Sequence, residues 1–311
     1  GGKHLFLDEV HKYPTWSKEL KEIYDLYPSM QIVFSGSSLL NILNADADLS
    51  RRCLPYNMYG LSFREFLMFY KNIRIPVASL EEVLRNAGEI CQGINEQCRP
   101  VQMFNEYLHD GYYPFFTGNR EDYYMNIENV VNFILEQEMP LLCGVAPAYV
   151  RKLKALLSIL ASSVPYEVDI TKLAGIIGLT RNSVITYLQN LDRAELLKLL
   201  YSDLTSVKKM QKPDKIYLQN PNLLYAIAST SVQISTARET FVMSQLSVNH
   251  EIEYGKAQGD FVVDHKYTFE VGGADKTFKQ IADLPDSFIL ADNIEYATGK
   301  KLPLWIVGLT Y

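Results

Sequence analysis

His4-Leu5-Phe6-Leu7-Asp8-Glu9 is a short apolar run closed by two acids. A run of that length, bounded by charge, reads as a buried parallel strand, because such strands are covered on both faces and need no polar alternation. Working outward, residues 17–27 place Leu20, Ile23, Tyr24 and Tyr27 on one helical face. Gln31-Ile32-Val33-Phe34-Ser35-Gly36 then repeats the strand pattern and ends in a Ser37-Ser38 turn. Two buried strands joined by a helix make a βαβ unit, and hence a parallel sheet.

Beyond residue 60 the periodicity changes. Residues 80–87, 102–110, 126–138 and 149–161 carry apolar side chains at three-to-four spacing, punctuated by Pro100, Pro114, Pro140 and Pro147. This predicts an all-helical lid or linker. Residues 171–177, a Gly178-Leu179 turn and residues 181–191 capped by Thr180 read as a helix-turn-helix, with a return strand at 196–201. That order is a winged-helix signature. After residue 213 the pattern predicts helices at 222–228 and 237–247, then strands at 251–254, 260–263, 267–271, 287–291 and 304–307.

At 311 residues the chain is long enough for two or three domains. Its four cysteines, Cys53, Cys91, Cys98 and Cys143, form no CxxC pair and have no histidine at zinc-ligand spacing, which reads as free thiols in a reducing cytoplasm. A net charge of −6 argues against a protein that coats nucleic acid over its whole surface but leaves room for one basic face. No run of apolar residues is long enough to span a membrane, and the first residues lack the apolar core of a signal peptide.

Asp8 and Glu9 stand at a strand's C-terminal end, where an Asp can hold Mg²⁺ and a Glu can polarise water for ATP hydrolysis. Ser35, at the tip of the next strand, is a small polar group suited to contact a γ-phosphate or the lytic water. Asp48-Leu49-Ser50-Arg51-Arg52 and Leu61-Ser62-Phe63-Arg64-Glu65-Phe66-Leu67 follow. In combination and order, these four pieces resemble the AAA+-like P-loop ATPases of archaea and bacteria that carry a C-terminal nuclease-like domain. The resemblance runs over essentially the whole chain.

It implies an α/β multidomain fold. Residues 1–60 would be the C-terminal half of a P-loop ATPase core, with a partial parallel sheet. Residues 61–163 would be a helical lid or linker and 164–212 a winged helix. Residues 213–311 would be an α/β restriction-endonuclease-like domain. It further implies ATP and Mg²⁺ as cofactors, Arg52 as a finger acting on a neighbouring copy, and assembly of copies through the ATPase core. The sequence departs from the family at one point: it contains no G-x-x-x-x-G-K-S/T loop, whose amides and lysine cradle phosphates. The expectation is that this loop lies upstream and that the chain alone does not bind ATP tightly.

Two further constellations bear on function. Arg181 and Asn182 lead the second helix of the helix-turn-helix and are of types that read bases or phosphates, with Lys208 on the expected wing, so DNA is the expected partner. Packing or protein contact is the competing role for such a module. In the last domain, Glu239 on a helix, Asp260 opening a strand and Glu270 on the next strand resemble the nuclease-like pattern of the same family, in which Glu-x-Lys follows the Asp. The carboxylates imply Mg²⁺ or Mn²⁺ at Asp260 and Glu270. The lysine position of the pattern is Gly272, which weighs against cleavage, and Lys276 is the nearest substitute. The alternatives to the ATPase reading are a non-catalytic DNA- or protein-binding module and a metal-dependent nuclease.

Overall fold

The computed structural model describes residues 3–36, 49, 52–163, 166–167, 169–202, 212–228, 232–256 and 258–311. It divides into two compact units, residues 1–58 with 133–150, and residues 59–132 with 151–311.

The smaller unit holds β1 (His4–Leu7), α1 (Trp16–Leu26) and β2 (Gln31–Phe34). The strands pair in parallel, with Leu5 opposite Ile32 and Phe6 opposite Val33. Trp16 and Leu20, one turn apart on α1, bury with Val10 and Leu49 against Leu7, Ile32 and Phe34. Among the described residues, only one face of the sheet is covered in this way. Phe6 is 72% exposed and its partner Val33 55%. The strands expected to be buried are therefore half-exposed, and Tyr24 and Tyr27, expected on the covered face of α1, lie in the open. With two strands described, the helix has too little sheet to cover more than a single turn's worth of side chains. A π turn, Ile134–Glu138, and the short α6 (Met139–Cys143), ended by Gly144 in the left-handed region, also belong to this unit.

In the larger unit, the helices are α2 (Phe63–Lys71), α3 (Leu80–Asn95), α4 (Pro100–Asp110), most of α5 (Arg120–Phe133) and α7 (Val150–Ala161). Sequence dictates their starts. Ser62 with Glu65, and Ser79 with Glu82, form reciprocal capping boxes in which each serine hydroxyl and each glutamate carboxylate accepts an orphan amide. Next come α8 (Ile170–Ile177), a turn through Gly178 at φ 67°, and α9 (Arg181–Arg193), whose cap Thr180 accepts from the Ser183 amide at 3.1 Å. They pack with an antiparallel sheet of order β3 (Tyr166–Glu167), β5 (Lys215–Leu218), β4 (Leu197–Leu200).

The remaining elements are α10 (Pro221–Ile227), α11 (Ile234–Leu246), β6 (Ile252–Tyr254), β7 (Phe261–Val263), β8 (Tyr267–Gly272), β9 (Ser287–Ala291) and β10 (Lys301–Pro303). The five strands form one sheet, ordered β10-β9-β8-β7-β6. The β6-β7-β8 meander is antiparallel, and β8, β9 and β10 run parallel. The strand expected at 304–307 is instead a 3₁₀ helix, Leu304–Leu309. Its residues are buried all round, a state that periodicity cannot assign to strand or helix, and Pro303 ends the ladder before it. Gly308 lets this turn close onto α2, since a Cβ there would lie 2.6 Å from that of Phe63.

A large apolar core runs through this unit. Phe63, Phe66 and Leu67 of α2 join Leu80 and Val83 of α3 and Phe104 of α4, and these meet Phe241 of α11, Phe261 and Phe269 of the sheet, and Trp305. Of the segment read as a lid, α2, α3 and α4 thus share a core with the C-terminal sheet. Asn222 ties them further. Its Oδ1 accepts from the Tyr112 amide at 2.8 Å and the Tyr123 hydroxyl at 2.6 Å, while its Nδ2 donates to the carbonyls of Tyr107 and Leu108. Tyr112 and Tyr123 are accordingly buried packing residues. Among the described residues, no helix is long and apolar enough to cross a membrane.

Candidate functional site

In the smaller unit, Ser35 is the brace. Its amide donates to the Leu7 carbonyl at 2.9 Å, and its carbonyl accepts from the Val10 amide at 3.0 Å. Its hydroxyl donates to Asp8 Oδ1 and accepts from the Glu9 amide at 3.2 Å. Asp8, Glu9 and Ser35 are thus brought together at the C-terminal ends of β1 and β2, as parallel pairing requires. Glu9 adopts φ 50°, a left-handed conformation that turns the chain sharply after the strand and is uncommon for a side chain of this kind. Its carboxylate pairs with Lys12, and that hydrogen bond raises the Lys12 pKa. Arg52 does not join them: its Nε lies 3.4 Å from Asp25 on α1. Arg51, Ser37 and Ser38 lie outside the described residues.

Arg181 and Asn182 are exposed at the start of α9. Lys208 lies outside the described residues. Lys198, on β4, is engaged by Glu195 at 2.7 Å. Asp192, near the end of α9, accepts from the Leu199 amide at 3.1 Å, and burial raises its pKa to about 6.

The five-stranded sheet gathers a denser cluster. Glu239 projects from α11, Asp260 precedes β7, and Glu270 lies on β8. Glu239 accepts from the Tyr217 hydroxyl at 2.8 Å, with Lys215 Nζ 3.7 Å away. Asp260 Oδ2 accepts from the Val271 amide at 2.8 Å. Glu270 is buried and ion-paired with Lys276 through Oε1, while its Oε2 has no hydrogen-bond partner. Burial raises the pKa of both glutamates, and the Asp260 charge pushes each further up. Tyr217 is held well above its ordinary value by burial and by Glu239. Arg238, beside Glu239 in sequence, is bound to buried Asp292 at 2.8 Å.

Lys215 and Tyr217 escaped the sequence reading because β5 did. The signal was present: Lys215-Ile-Tyr217-Leu alternates, which puts Lys215 and Tyr217 on one face, and an Asn220-Pro221 helix start follows it. Among the described residues, no group of three or more His, Cys, Asp or Glu side chains is disposed to hold a metal ion.

These geometries can be set beside known proteins. Residues 1–67 match a family profile described as an AAA domain, a span that takes in Asp8, Glu9, Ser35 and Arg52. Residues 1–67 of this mixed α/β chain are therefore AAA-like. Residues 101–233 match a domain of unknown function. An uncharacterized protein of Methanocaldococcus jannaschii is 28% identical over 217 residues, covering 68% of this chain. The chain spans 45% of that relative's length. No solved structure matches the chain.

Proposed function

We propose that residues 1–60 supply the metal-and-water half of an ATP-hydrolysing site. The observation that carries this reading is the brace made by Ser35, which ties Asp8 and the Glu9 amide across two parallel strands. The match of residues 1–67 to an AAA domain supports it. Asp8 and Ser35 offer hard oxygen donors. Mg²⁺ is held by one or two carboxylates together with substrate phosphates, so the donor set fits a nucleotide-bound ion. Bound nucleotide and Mg²⁺ supply the phosphoryl group and the neutralising charge. Asp8 then positions the ion, Ser35 contacts the phosphate side, and Glu9, once released from Lys12, orients the attacking water.

The phosphate cradle comes, in this reading, from a segment upstream of Asp8. The uncovered face at Phe6 and Val33 is where further core structure would pack. The test is ATP hydrolysis by a chain extended upstream through a G-x-x-x-x-G-K-S/T loop. Glu9→Gln should cut turnover by about a hundredfold or more while nucleotide still binds. Hydrolysis by Glu9→Gln at the parental rate would reject the role of Glu9. Micromolar binding of an ATP analogue by the 311-residue chain itself would reject the upstream cradle.

The finer assignments extend this reading to a cytoplasmic assembly of copies in which Arg52 leaves Asp25 to act on a neighbour. The α8–α9 pair and its sheet are read as a winged helix that contacts DNA through Arg181 and Asn182. Unchanged duplex binding by an Arg181→Ala variant of the extended protein would remove that contact. The last domain is read as a nuclease-like scaffold without cutting activity, supported by a meander-plus-parallel sheet that brings Asp260 and Glu270 near Glu239 of α11.

A further inference from the structure

The acid cluster of the C-terminal sheet is matched, group by group, by internal partners. Glu239 has Tyr217 and Lys215, Asp260 has the Val271 amide, and Glu270 has Lys276. The last of these pairings explains the missing lysine of the Glu-x-Lys pattern. A Cβ at Gly272 would lie 2.7 to 2.9 Å from Cδ, Cγ and Cβ of Lys276. The stem of Lys276 therefore fills the space that a side chain at position 272 would use, and its ammonium reaches the carboxylate two residues back.

The loop that presents Lys276 is fixed rather than incidental. The Lys276 amide donates to the Gly273 carbonyl at 3.0 Å, closing a turn directly after β8. Lys301 of β10 donates its ammonium to the carbonyls of Ala274 and Lys276, the second at 3.1 Å. The Asp292 amide donates to the Gly272 carbonyl at 2.8 Å. β10 and the residue that follows β9 thus hold the turn where it is. Inside it, Glu270 is 2% exposed and its Oε2 is left with no protein partner. A buried, half-satisfied carboxylate is costly unless a cation stands at it. Here the cation is an ammonium, and the residues as they stand do not fit a divalent ion.

We propose that Lys276 closes a cryptic divalent-cation site: its ammonium is the built-in counter-ion of Glu270, and Glu239, Asp260 and Glu270 accept Mn²⁺ or Mg²⁺ only when that side chain is displaced. The inference rests on reading these three acids as nuclease-like. It makes Gly272 and Lys276 a matched pair, since a side chain at 272 and the present course of Lys276 exclude each other.

Mn²⁺ binding, followed by loss of the free-ion signal in electron paramagnetic resonance, tests this on the chain as it is. Only binding that Asp260→Asn abolishes is counted, which sets aside any ion held at Asp8. The parent chain should show none. Lys276→Met should gain binding tighter by on the order of a hundredfold, since a cation in contact with the site has been removed. Gly272→Ala should gain it too, by pushing the Lys276 stem aside while keeping the charge, and it decides the matter if Lys276→Met does not fold. Lys276→Arg should gain nothing. Asp260-dependent binding by the parent chain would overturn the closure and leave the nuclease-like reading of the acids standing. A folded Gly272→Ala that binds no Mn²⁺ would overturn the proposal, and no binding in any folded variant would overturn the nuclease-like reading with it.

Discussion

Two strands in this chain present acids, β1 just past its end and β8 within its length, and the two have opposite surroundings. At Asp8-Glu9 the sheet has two described strands, one covered face, and side chains that meet water. At Glu270 the sheet has five strands, a helix packed on it, and a carboxylate sealed from solvent. Acids carried by apolar strands thus meet different physics in the two places. The exposed acids are organised by the Ser35 hydroxyl at Asp8 and an exposed Lys12 at Glu9, and water solvates the rest. The buried acid needs a counter-ion, and the chain supplies one four residues past the end of the usual motif.

The contrast is largest in the cores. Phe241 is fully buried and meets Phe104 edge-on at 4.6 Å between ring centroids. Phe241→Ala should destabilise the larger unit by about 3–5 kcal/mol, read by urea denaturation, since the cavity lies where helices and sheet share one core. A loss below about 1 kcal/mol would mean that the helical segment and the C-terminal sheet are not one cooperative body.

Next in size is the Glu270–Lys276 pair, where the prediction is an asymmetry. Lys276→Met strands a buried carboxylate and should cost about 3–5 kcal/mol. Glu270→Gln leaves a lysine that is 31% exposed and able to turn to water, so it should cost only about 1–2 kcal/mol. The double variant should recover most of the larger loss. Equal costs in the two single variants would put the pair in the class of exposed ion pairs, such as Lys12 with Glu9, whose removal is expected to leave stability unchanged.

How much of this was legible beforehand follows from the same contrast. The β1-α1-β2 unit, its parallel pairing and the meeting of Asp8 with Ser35 were readable, because short apolar runs closed by acids and capped helices are local signals. The placement of Glu239, Asp260 and Glu270 on helix, strand start and strand was also readable. Which side of the sheet would be bare was not, since exposure of Phe6 depends on what else packs there. Lys215 and Tyr217 were missed with β5, a four-residue strand whose pairing partners both lie earlier in the sequence, β3 by about fifty residues. The conversion of 304–307 from strand to 3₁₀ helix was hidden because Leu304-Trp305-Ile306-Val307 is apolar in every direction and carries no period. The arrangement around Lys276 needed coordinates, since a lysine six residues from Glu270 becomes its partner only through the turn at Gly273.

A smaller effect separates the buried acids from the exposed ones by pH. Burial raises the Asp192 carboxyl from 3.8 to about 6. The folded state therefore holds this proton more tightly than the unfolded state. The resulting stability is fully present below the unfolded value and is lost as pH rises through about 6. Stability should fall by about 1–2 kcal/mol over that window, a discounted figure because the side chain is half-buried. Asp192→Asn should flatten the decline in thermal unfolding measured from pH 4 to pH 7. A decline that persists unchanged would assign it to Glu239 and Glu270, whose pKa values are raised in the same direction.

The smallest expected effect tests the bare face directly. Phe6 is 72% exposed beside Val33, so Phe6→Ser should change the stability of this chain by less than about 0.5 kcal/mol in urea denaturation. In a chain extended upstream through a phosphate-binding loop, the same change should cost several times more, because an exposed phenylalanine that becomes covered acquires the burial energy of a core residue, about 2 kcal/mol. The difference between the two losses measures what packs on β1 and β2. Equal, negligible losses in both would mean that the face stays bare and that no further core structure completes the site at Asp8.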